Sequence, residues 1–425
     1  MKAVVLAAGE GARLRPITAT RPKHMIEVGG KPLLDHCLRN IKTAGIEETV
    51  IVVHYLADVI QSYLKDGGEW GVRLEYAEQG EMLGTGNAIE TIEAYVEEDF
   101  LVVYGDLLFD PEALRKVIRV HRKQQPSATI GVVAVERPEE YGIVEIEAGR
   151  VKRLREKPSS EEVSGNLANA GIYVFSKSIF EKIDRTRPSV RGEWEITDAI
   201  SLMIEDGETV SAAKIARGDW LDVGRPWNLL EANQWALSRG DHQVSGNVED
   251  GAHLIGGVTV AKTARIRSGA YIEGPVVIGE ESDIGPNCYI RPYTSIGKNV
   301  RVGNGCEIKN SIVMDDTHIG HLSYVGDSIV GENCNFGAGT VTANLRLDDE
   351  NVEMKVKGET VDTERRKLGA ILGDGVKTGI NVLFMPGVKV GVNSWIGPNV
   401  ILYRDVDADK LITLEQTIQE EDLKA

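Results

Sequence analysis

Residues Ile278–Ile308 read IGEESDIGPNCYIRPYTSIGKNVRVGNGCEI, with an aliphatic residue at every sixth position. The same register runs from Val260 to Met314 and resumes from Phe384 to Leu402. A hexapeptide period is typical of a β-helix, in which three short strands make each coil of about 18 residues. The sequence therefore predicts a β-helix whose aliphatic side chains point inward and stack. The predicted inward positions are Val260, Ile266, Ile272, Ile278, Ile284, Ile290, Ile296, Val302, Ile308, Met314, Phe384, Val390, Ile396 and Leu402.

Residues 1–235 carry a different pattern, in which short apolar runs alternate with amphipathic stretches. The predicted strands include Ala3–Ala8, Thr49–His54 and Phe100–Tyr104, and the predicted helices include Leu33–Thr43, Pro111–Lys123 and Trp227–Ser238. Strands that alternate with helices in this way predict an α/β domain with a mostly parallel sheet.

The two patterns divide the chain into two predicted domains. The first covers residues 1–235, a polar, glycine-containing linker covers 236–250, and the β-helix domain covers 251–425. Within the β-helix the charged segment 345–367 departs from the register and is predicted to be a loop. The acidic tail 405–425 is predicted to cap the last coil.

The composition excludes several classes of function. The chain has 425 residues, a formal net charge of −17 and 42% hydrophobic residues, which is enough for full cores. The acidic balance disfavours nucleic-acid binding, because phosphate neutralisation needs clustered lysine and arginine. No run approaches the roughly 20 apolar residues of a membrane span, and four scattered cysteines do not form a disulfide framework. We therefore expect a soluble, reduced, cytoplasmic protein.

A glycine-rich turn follows the first predicted strand. Residues 6–16 read LAAGEGARLRP, and Arg21-Pro22-Lys23 follows shortly afterwards. Backbone N–H groups at Gly9 and Gly11 can approach a phosphate closely because glycine has no side chain. A Gly-x-Gly turn alone is also compatible with an ordinary tight turn. Arg13 and Lys23 favour the phosphate site, because they add fixed cations for a leaving pyrophosphate.

This region resembles the sugar-1-phosphate nucleotidylyltransferases, whose signature is Gly-x-Gly-Thr-Arg-Leu-x-Pro followed by Pro-Lys. Ala12 replaces the threonine, so one hydroxyl contact is missing. Further family-like segments follow in the same order over nearly all of residues 1–235. They are LGTG at 83–86, YGD at 104–106, YGIV at 141–144, EKP at 156–158, NAGIY at 169–173, EWEITD at 193–198 and WLDVG at 220–224.

The resemblance implies a Rossmann-like nucleotidyltransferase domain with Arg13 and Lys23 as catalytic cations. It implies nucleotide contacts at Leu6, Ala8, Gly9, Gly11, Arg13, Lys23, Gln79, Gly84 and Thr85. It implies sugar-phosphate contacts at Gly142, Glu156, Lys157 and Asn169, and Mg²⁺ ligands at Asp106 and Asp222. Gln79 would contact the face that uracil and thymine share, so UTP and dTTP can both serve.

The chemistry of nucleotidyl transfer suits these residue types. A sugar-phosphate oxygen attacks the α-phosphorus in line, and pyrophosphate leaves. Because negative charge crowds the site, positioning and neutralisation supply most of the catalysis. Mg²⁺ prefers a few carboxylates together with phosphate oxygens. A nucleophilic side chain is not required, since the sugar phosphate is already an anion.

A second candidate site lies on the predicted β-helix. Arg291 and Lys309 are 18 positions apart, one full coil, so they should stack at roughly the 4.8 Å spacing of neighbouring strands. Two like charges so close repel unless an anion bridges them, and a phosphate suits that role; two solvated side chains that splay apart are the alternative. Cys288 and Cys306 share this spacing and are predicted to be stacked, reduced, partly buried thiols.

The segment GHLSYVGD at 320–327 resembles the acetyltransferase half of the bifunctional glucosamine-1-phosphate N-acetyltransferases/N-acetylglucosamine-1-phosphate uridylyltransferases. The resemblance implies that His321 takes the proton from the attacking amine, a task that suits an imidazole. It implies acetyltransferase substrate contacts at Arg291, Lys309, Tyr324, Asn335, Asn344 and Lys367, and acetyl-CoA contacts at Ala338 and Asn344. Hexapeptide proteins of this type usually assemble as trimers, so a homotrimer is expected.

The second half departs from the bacterial pattern of this family. Asn344-Leu345 replaces an Asn-Tyr pair, an insertion of about twenty residues follows, and Ile380 stands where a serine contacts coenzyme A. The chain looks closest to archaeal proteins of this kind. The amino sugar, glucosamine or galactosamine 1-phosphate, stays open.

The leading hypothesis is a two-headed enzyme that acetylates an amino-sugar 1-phosphate with acetyl-CoA and couples the product to UTP with Mg²⁺. A second hypothesis keeps nucleotidyl transfer alone, on glucose 1-phosphate, with the β-helix as a trimerisation device. A third is a non-enzymatic relative, such as a subunit of a translation-initiation exchange factor or a regulatory partner of a mannose pyrophosphorylase. Such proteins usually lose the phosphate-loop and metal residues, which this chain retains.

Overall fold

The computed structural model describes residues 1–422 apart from residues 160, 164 and 190. The chain forms two compact units. The first comprises residues 1–11, 21–26 and 31–224, and the second comprises residues 12–20, 27–30 and 225–425.

A nine-stranded sheet forms the centre of the first unit. Its strands, in spatial order, are Arg73–Glu78, Glu48–Val53, Ala3–Ala7, Phe100–Tyr104, Leu167–Phe175, Ala128–Ala134, Val210–Lys214, Arg150–Arg155 and Ile143–Glu147. Ala3–Ala7 pairs in parallel with both of its neighbours. Leu167–Phe175 pairs antiparallel with both of its neighbours.

The sheet is therefore mixed, and the prediction of a mostly parallel sheet was wrong for its second half. A parallel neighbour requires a crossover connection, usually a helix. The antiparallel pair Ile143–Glu147 and Arg150–Arg155 precedes Leu167–Phe175 instead, so the chain enters that strand without a crossover helix.

Helices flank this sheet on both faces. They are Leu33–Thr43, Ala57–Leu64, Thr85–Glu90, Pro111–Gln124, Ser178–Arg185 and Ile196–Glu205. Pro111 begins its helix because its fixed φ suits the first turn, and the Asp110 carboxylate accepts a hydrogen bond from the Glu112 N–H at 2.9 Å. Two buried apolar clusters lie on the sheet, one on each face. A further strand pair, Leu107–Phe109 with Trp220–Asp222, lies beside the sheet.

Three parallel sheets, here called the first, second and third faces, make up the second unit. The first face contains Asn247–Val248, Arg265–Ile266, Asp283–Ile284, Arg301–Asn304, His318–His321, Asn335–Phe336, Lys377–Thr378, Trp395–Ile396 and Leu411–Ile412. The second contains His253–Ile255, Tyr271–Glu273, Tyr289–Ile290, Glu307–Lys309, Tyr324–Gly326, Val341–Thr342, Leu383–Phe384 and Ile401–Leu402. The third contains Val258–Val260, Val276–Ile278, Thr294–Ile296, Ile312–Val313, Ile329–Val330, Ile371–Leu372 and Lys389–Val390. Successive coils pair in parallel on each face, as a left-handed β-helix requires.

The predicted inward positions form the core of this β-helix, with one exception. From Val260 to Ile308 they are buried and pack in one apolar cluster, as do Phe384, Val390, Ile396 and Leu402. Met314 is buried outside that cluster, and Val313 takes the inward position opposite Ile296. The turn that leads to the third face is one residue shorter here, with Asn310 in the left-handed region at φ 45°. The inward prediction for Met314 was therefore wrong.

The segment predicted as a loop at 345–367 contains an antiparallel hairpin. Glu353–Val356 pairs with Glu359–Asp362, and an isolated bridge between Leu345 and Lys367 closes the base of the insertion. Val352 and Met354 are buried, so the insertion packs as part of the second unit.

The helix Pro226–Arg239 packs on the β-helix within the second unit. Asn233 is fully buried on it. Its side-chain oxygen accepts hydrogen bonds from the Gly29 N–H at 2.8 Å and the Ser295 hydroxyl at 2.5 Å, and its amide donates to the Tyr293 carbonyl at 2.8 Å. Buried polar groups need such partners, so Asn233 fixes the helix in one register. Among the described residues, no helix has the length and apolar character to span a membrane.

Candidate functional sites

The glycine-rich turn begins at the end of the strand Ala3–Ala7. Leu6 and Ala8 are buried. A Cβ on Gly9 would meet no atom within 4 Å, and Gly11 has a φ of +68°, a conformation that favours glycine. The backbone is thus open to close approach at Gly9. Arg13 is exposed in the short 3₁₀ helix Ala12–Leu14, which belongs to the second unit.

Lys23 and Asp106 form an ion pair in the first unit, with both side chains largely buried. Burial opposes ionisation of Asp106, but the charge of Lys23 and its hydrogen bond outweigh burial, so the pKa of this carboxyl lies below its usual value. Asp222 pairs with Leu107 on the adjacent strand, and the Val223 N–H donates to the Asp106 carbonyl at 3.3 Å. Asp222 therefore ends one strand of this pair, and Asp106 lies in the turn directly before the other.

Asp106 and Asp222 fit a magnesium ion of the kind that keeps substrate phosphates in its shell. Mg²⁺ is commonly bound through one or two carboxylates plus phosphate oxygens. The described residues contain no cluster of three or more His, Cys, Asp or Glu side chains able to hold a metal alone. The site therefore suits a metal that arrives with the nucleotide.

His24 is a buried neighbour of this ion pair. Burial, followed by the charge of Lys23, lowers the pKa of His24 to about 3, so the imidazole is neutral near pH 7. A Cβ on Gly105 would lie 3.1 Å from the His24 ring. His24 thus packs against the turn that carries Asp106.

The predicted base contacts lie in a loop that the segment Trp194–Glu195 braces. Gly84 has a φ of +117°, and a Cβ there would lie 2.5 Å from the Trp194 carbonyl oxygen. The Gly86 N–H donates to that carbonyl at 2.7 Å, and the Thr85 hydroxyl accepts from the Ile196 N–H at 3.0 Å. The loop 83–86 is therefore held rigidly, which explains why EWEITD occurs alongside LGTG.

Gln79 is buried beside the same loop. Its amide donates to Asn87 Oδ1 at 2.8 Å and to the Gly84 carbonyl at 3.3 Å. These bonds fix the orientation of the side-chain amide, as recognition of a base edge requires.

The four predicted sugar-phosphate contacts converge in the first unit. A Cβ on Gly142 would lie 2.9 Å from Glu156 Oε2, and the Asn169 N–H donates to the Gly142 carbonyl at 2.8 Å. Lys157 is exposed and has a left-handed φ of 40°. Strained backbone of this kind often marks functional positions.

Arg191 forms ion pairs with both Glu195 and Glu156. Arg191 Nη2 lies 2.6 Å from Glu195 Oε1 and 3.4 Å from Glu156 Oε1. Burial, then the charge of Glu195, raises the pKa of Glu156 above its usual value. A strong hydrogen-bond acceptor is thereby held over the backbone of Gly142, as recognition of a sugar hydroxyl requires.

Two tyrosines link Asn169 to the base loop. Asn169 Nδ2 donates to the Tyr173 hydroxyl at 2.6 Å, and that hydroxyl donates to the Tyr104 hydroxyl at 3.1 Å. Burial raises the pKa of both phenols, so both remain neutral donors. The predicted sugar contact is thus fixed from behind by buried side chains.

Arg291 and Lys309 follow paired residues on the second face, as their spacing predicted. Each has a carboxylate partner within the protein. Arg291 Nη1 lies 2.9 Å from Glu307 Oε1, and Lys309 Nζ lies 3.0 Å from Asp327 Oδ2. These partners relieve the repulsion between the two cations, so their stacking does not by itself require a bound anion.

Three predicted acetyltransferase contacts meet in one hydrogen-bonded cluster. Asn344 Nδ2 lies 2.5 Å from Asp327 Oδ2 and 3.1 Å from the Tyr324 hydroxyl. Lys309 bonds the same carboxylate oxygen. Burial, then the charge of Asp327, raises the pKa of Tyr324, which keeps this phenol neutral.

The remaining predicted residues lie on other parts of the β-helix. His321 is exposed at the end of the first-face strand that precedes Tyr324. Asn335 is exposed on the first face, and Ala338 lies in the turn that follows, where its carbonyl accepts from the Asn381 N–H at 2.8 Å. Lys367 is exposed at the base of the hairpin insertion.

Sequence reasoning missed several residues that organise both sites. Tyr173, Arg191 and Glu195 lie in or beside segments quoted above, and Asp327 ends the segment 320–327. The motifs marked these segments as functional, but they did not show which of their side chains point into the sites. Asn310 and the helix residue Gln234 carried no motif signal.

Comparison with known proteins agrees with this division into two sites. A family model described as "Nucleotidyl transferase" matches residues 2–239, and one described as "GMPPB C-terminal domain" matches residues 272–383. The chain is similar to the bifunctional protein GlmU of Methanocaldococcus jannaschii, with 43% identity over 97% of each chain. It is also 42% identical to a bifunctional sugar-1-phosphate nucleotidylyltransferase/acetyltransferase of Sulfurisphaera tokodaii, over 96% of this chain and 98% of the relative.

Solved structures resemble the nucleotidyltransferase part. A putative glucose-1-phosphate thymidylyltransferase from Bacillus anthracis is 31% identical over 56% of this chain and 95% of its own, with a TM-score of 0.51. A UDP-glucose pyrophosphorylase solved with UDP-glucose is 28% identical over 56% of this chain and 99% of its own, with a TM-score of 0.52. With full-length relatives above 40% identity, the chain belongs to the family of bifunctional GlmU proteins, the sugar-1-phosphate nucleotidylyltransferases/acetyltransferases.

Proposed function

We propose that this protein makes a UDP-N-acetylhexosamine in two steps. The second unit transfers the acetyl group of acetyl-CoA to the amine of glucosamine or galactosamine 1-phosphate. The nucleotidyltransferase site then transfers the uridylyl group of UTP to the acetylated sugar phosphate and releases pyrophosphate. The observation that carries the first step is that Lys309 and Asn344 both bond the buried carboxylate of Asp327, while the Asn344 amide also bonds the Tyr324 hydroxyl; a purely structural β-helix does not need this cluster.

In the acetyl transfer, the sugar amine attacks the thioester carbonyl and the coenzyme A thiolate leaves. Only a neutral amine is nucleophilic, so a base must accept the amine proton. His321 is exposed three residues before Tyr324 and fills that role. The Lys309 ammonium binds the phosphate of the sugar, and Arg291 on the neighbouring coil adds a second cation.

In the nucleotidyl transfer, the sugar phosphate attacks the α-phosphorus of UTP and pyrophosphate leaves. The backbone of Gly9 and Gly11 holds the phosphates, while Arg13 and Lys23 neutralise the charge that develops on the leaving group. Bound Mg²⁺, held by Asp106 and Asp222, would supply further charge neutralisation. Glu156, Lys157 and Asn169 orient the sugar phosphate.

A substrate panel tests this proposal. The purified protein is incubated with Mg²⁺ and each of four nucleoside triphosphates, against glucose, N-acetylglucosamine, N-acetylgalactosamine, glucosamine and galactosamine 1-phosphates. The two amino-sugar phosphates are also incubated with acetyl-CoA, and all products are identified by mass spectrometry. We expect UTP with an N-acetylated sugar phosphate to give the highest kcat/KM. Preference for glucose 1-phosphate, together with no acetyl transfer to either amino-sugar phosphate, contradicts the proposal and favours a nucleotidylyltransferase with a structural β-helix.

A further inference from the structure

The carboxylate of Asp327 is buried at the turn that follows the second face. Its Oδ2 lies 3.0 Å from Lys309 Nζ and 2.5 Å from Asn344 Nδ2. Its Oδ1 accepts from Asn310 Nδ2 at 2.6 Å. Three donors thus converge on one carboxylate, and two of them belong to residues that contact the acetyl acceptor in the proposed function.

The turn itself does not need a charge at this position. Asn310 occupies the equivalent turn one coil earlier, and the Asp327 N–H donates to the Lys309 carbonyl at 2.9 Å in the stack. The φ of Asn310 is 45° and that of Asp327 is 49°. Because asparagine makes the same left-handed turn, the fold does not explain why a carboxylate is buried here. A buried carboxylate is costly unless it is paired, and Lys309 supplies the pairing charge here.

Asn310 and Asp327 each lie in a turn that is one residue shorter than the others. Consecutive inward residues are six positions apart in the regular hexapeptide register. From Ile308 to Val313, and again from Val325 to Val330, they are only five positions apart. Gly326 pairs with Lys309 because Val325 pairs with Ile308, and Asp327 follows Gly326 directly. The departure from the hexapeptide period therefore occurs at the coils that carry the cluster.

Asp327 also determines which atoms of its partners face outward. One N–H of the Asn344 amide goes to Asp327 and the other to the Tyr324 hydroxyl. With both donors engaged, the Asn344 side chain presents its carbonyl oxygen elsewhere. The Lys309 ammonium has three donors, and its bond to Asp327 fixes the long, flexible stem while two donors stay available for phosphate oxygens.

The helix Pro226–Arg239 contacts this cluster through Gln234. Gln234 Nε2 donates to Asn310 Oδ1 at 2.8 Å, which forces the Asn310 amide to donate toward Asp327. Gly369, beyond the hairpin insertion, donates its N–H to the Asp327 carbonyl at 2.8 Å. Both the side chain and the backbone of Asp327 are therefore fixed by the second unit.

We propose that Asp327 is a positioning residue for acetyl transfer: it holds the Lys309 ammonium where the sugar phosphate binds. The inference rests on the proposed function of this site. Asp327 itself does not touch the phosphate, since two anions would repel. Its effect on the reaction passes through Lys309.

The test compares wild type, Asp327→Asn, Lys309→Met and the double variant in acetyl transfer from acetyl-CoA. We expect Asp327→Asn to raise the KM for glucosamine 1-phosphate at least tenfold and to leave the KM for acetyl-CoA within twofold. The double variant should be no worse than Lys309→Met within twofold, because Asp327 acts through Lys309. With glucosamine, which lacks the phosphate, Asp327→Asn should match wild type within twofold.

Asp316→Asn is the matched control, because Asp316 also has a left-handed φ, 57°, in a nearby turn of the same β-helix. It should leave both KM values unchanged. A purely structural role for Asp327 would instead impair acetylation of glucosamine and of glucosamine 1-phosphate alike, and would add to the loss from Lys309→Met. Any of these results, or an unchanged KM for glucosamine 1-phosphate, overturns the inference.

Failure of the proposed function is distinguishable from failure of this inference. If wild type transfers no acetyl group to either amino-sugar phosphate, the proposed function fails. Binding then decides the role of Asp327, measured by calorimetry with glucosamine 1-phosphate in a Lys157→Ala background that weakens the other sugar-phosphate site. At least tenfold weaker binding on adding Asp327→Asn supports the positioning of Lys309, and equal binding overturns it.

Discussion

Lys23 and Asp106 form a largely buried ion pair at the end of the strand Phe100–Tyr104. Without a metal, Lys23 is the main neutralising partner of this carboxylate. Removing one member of a buried pair typically costs about 3–5 kcal/mol, because the other charge stays buried and unpaired. We expect Lys23→Met to lose roughly 3 kcal/mol of unfolding free energy in the absence of Mg²⁺.

Added Mg²⁺ should restore part of that loss, since a cation on Asp106 and Asp222 replaces the lost ammonium. The measurement is the melting temperature of Lys23→Met and wild type with and without Mg²⁺. A larger Mg²⁺-induced rise in Lys23→Met, abolished by adding Asp222→Asn, is the expected result. Equal rises in both proteins would contradict a metal site at these carboxylates.

Two glycines of the proposed nucleotide site should respond differently to substitution by alanine. Gly84→Ala places a Cβ 2.5 Å from the Trp194 carbonyl at a φ of +117°, so we expect a loss on the order of 1–3 kcal/mol in stability. Gly9→Ala meets no atom within 4 Å and should leave the melting temperature unchanged.

Gly9→Ala should nevertheless raise the KM for UTP, because the added methyl group occupies the space through which phosphate approaches the backbone. Steady-state kinetics of nucleotidyl transfer checks this. If Gly9→Ala retains the wild-type KM, the phosphates do not approach this turn closely, and the predicted role of the loop is wrong.

The free energy of unfolding should decrease as the pH is lowered, because His24 is neutral in the folded protein. Its pKa is about 3 in the folded protein and 6.5 when unfolded, so between these values the unfolded chain binds a proton that the folded chain does not. Above pH 6.5 His24 is neutral in both states and does not reduce the free energy of unfolding. Between pH 6.5 and 3 this free energy decreases as the pH falls, by about 1.4 kcal/mol per pH unit for one proton.

Urea unfolding of wild type and His24→Gln at pH 7, 6, 5 and 4 measures this slope. The wild-type advantage over His24→Gln should shrink as the pH falls. His253→Gln serves as control, because His253 is exposed, and its curve should run parallel to wild type. A parallel curve for His24→Gln as well would show that His24 is not held neutral by the fold.

The four cysteines should be unreactive in the native protein. All four are buried and free of disulfides. Burial raises the pKa of Cys288 and Cys334 to about 12 and raises those of Cys37 and Cys306 as well, and the thiolate is the reactive form. A colorimetric disulfide reagent at pH 8 should detect almost no thiol in the folded protein and four in denaturant. Rapid titration of one native thiol would contradict the burial of these side chains.

The hexapeptide period predicted most of the β-helix because one physical requirement, an apolar side chain at each inward position, repeats along the chain. The inward prediction for Met314 was wrong because the hexapeptide period alone does not reveal a turn that is one residue shorter. The mixed sheet was missed for a related reason: strand direction depends on pairing partners distant in sequence, and Leu167–Phe175 has no local mark of its direction.

Site residues that stand in a recognisable motif could be predicted from the sequence. Residues whose role depends on how side chains pack in the folded protein could not. Lys23 and Asp106 stand in recognisable segments and do meet. Asp327 stood in a quoted segment, yet only the fold shows that its side chain turns toward Lys309. Asn310 contacts Asp327, which is 17 positions away, and Gln234 contacts Asn310, which is 76 positions away. No local sequence pattern encodes contacts of this kind.

The most direct measurement of the two-site account is the rate of free-thiol release from acetyl-CoA on addition of glucosamine 1-phosphate, in wild type and His321→Ala. Pyrophosphate release from UTP and N-acetylglucosamine 1-phosphate is measured in the same preparations. The account predicts a loss of at least 100-fold in thiol release for His321→Ala with pyrophosphate release within twofold of wild type, since general-base catalysis typically supplies a factor of about 10²–10⁴. Equal thiol release by the two proteins, or none from wild type, would contradict it.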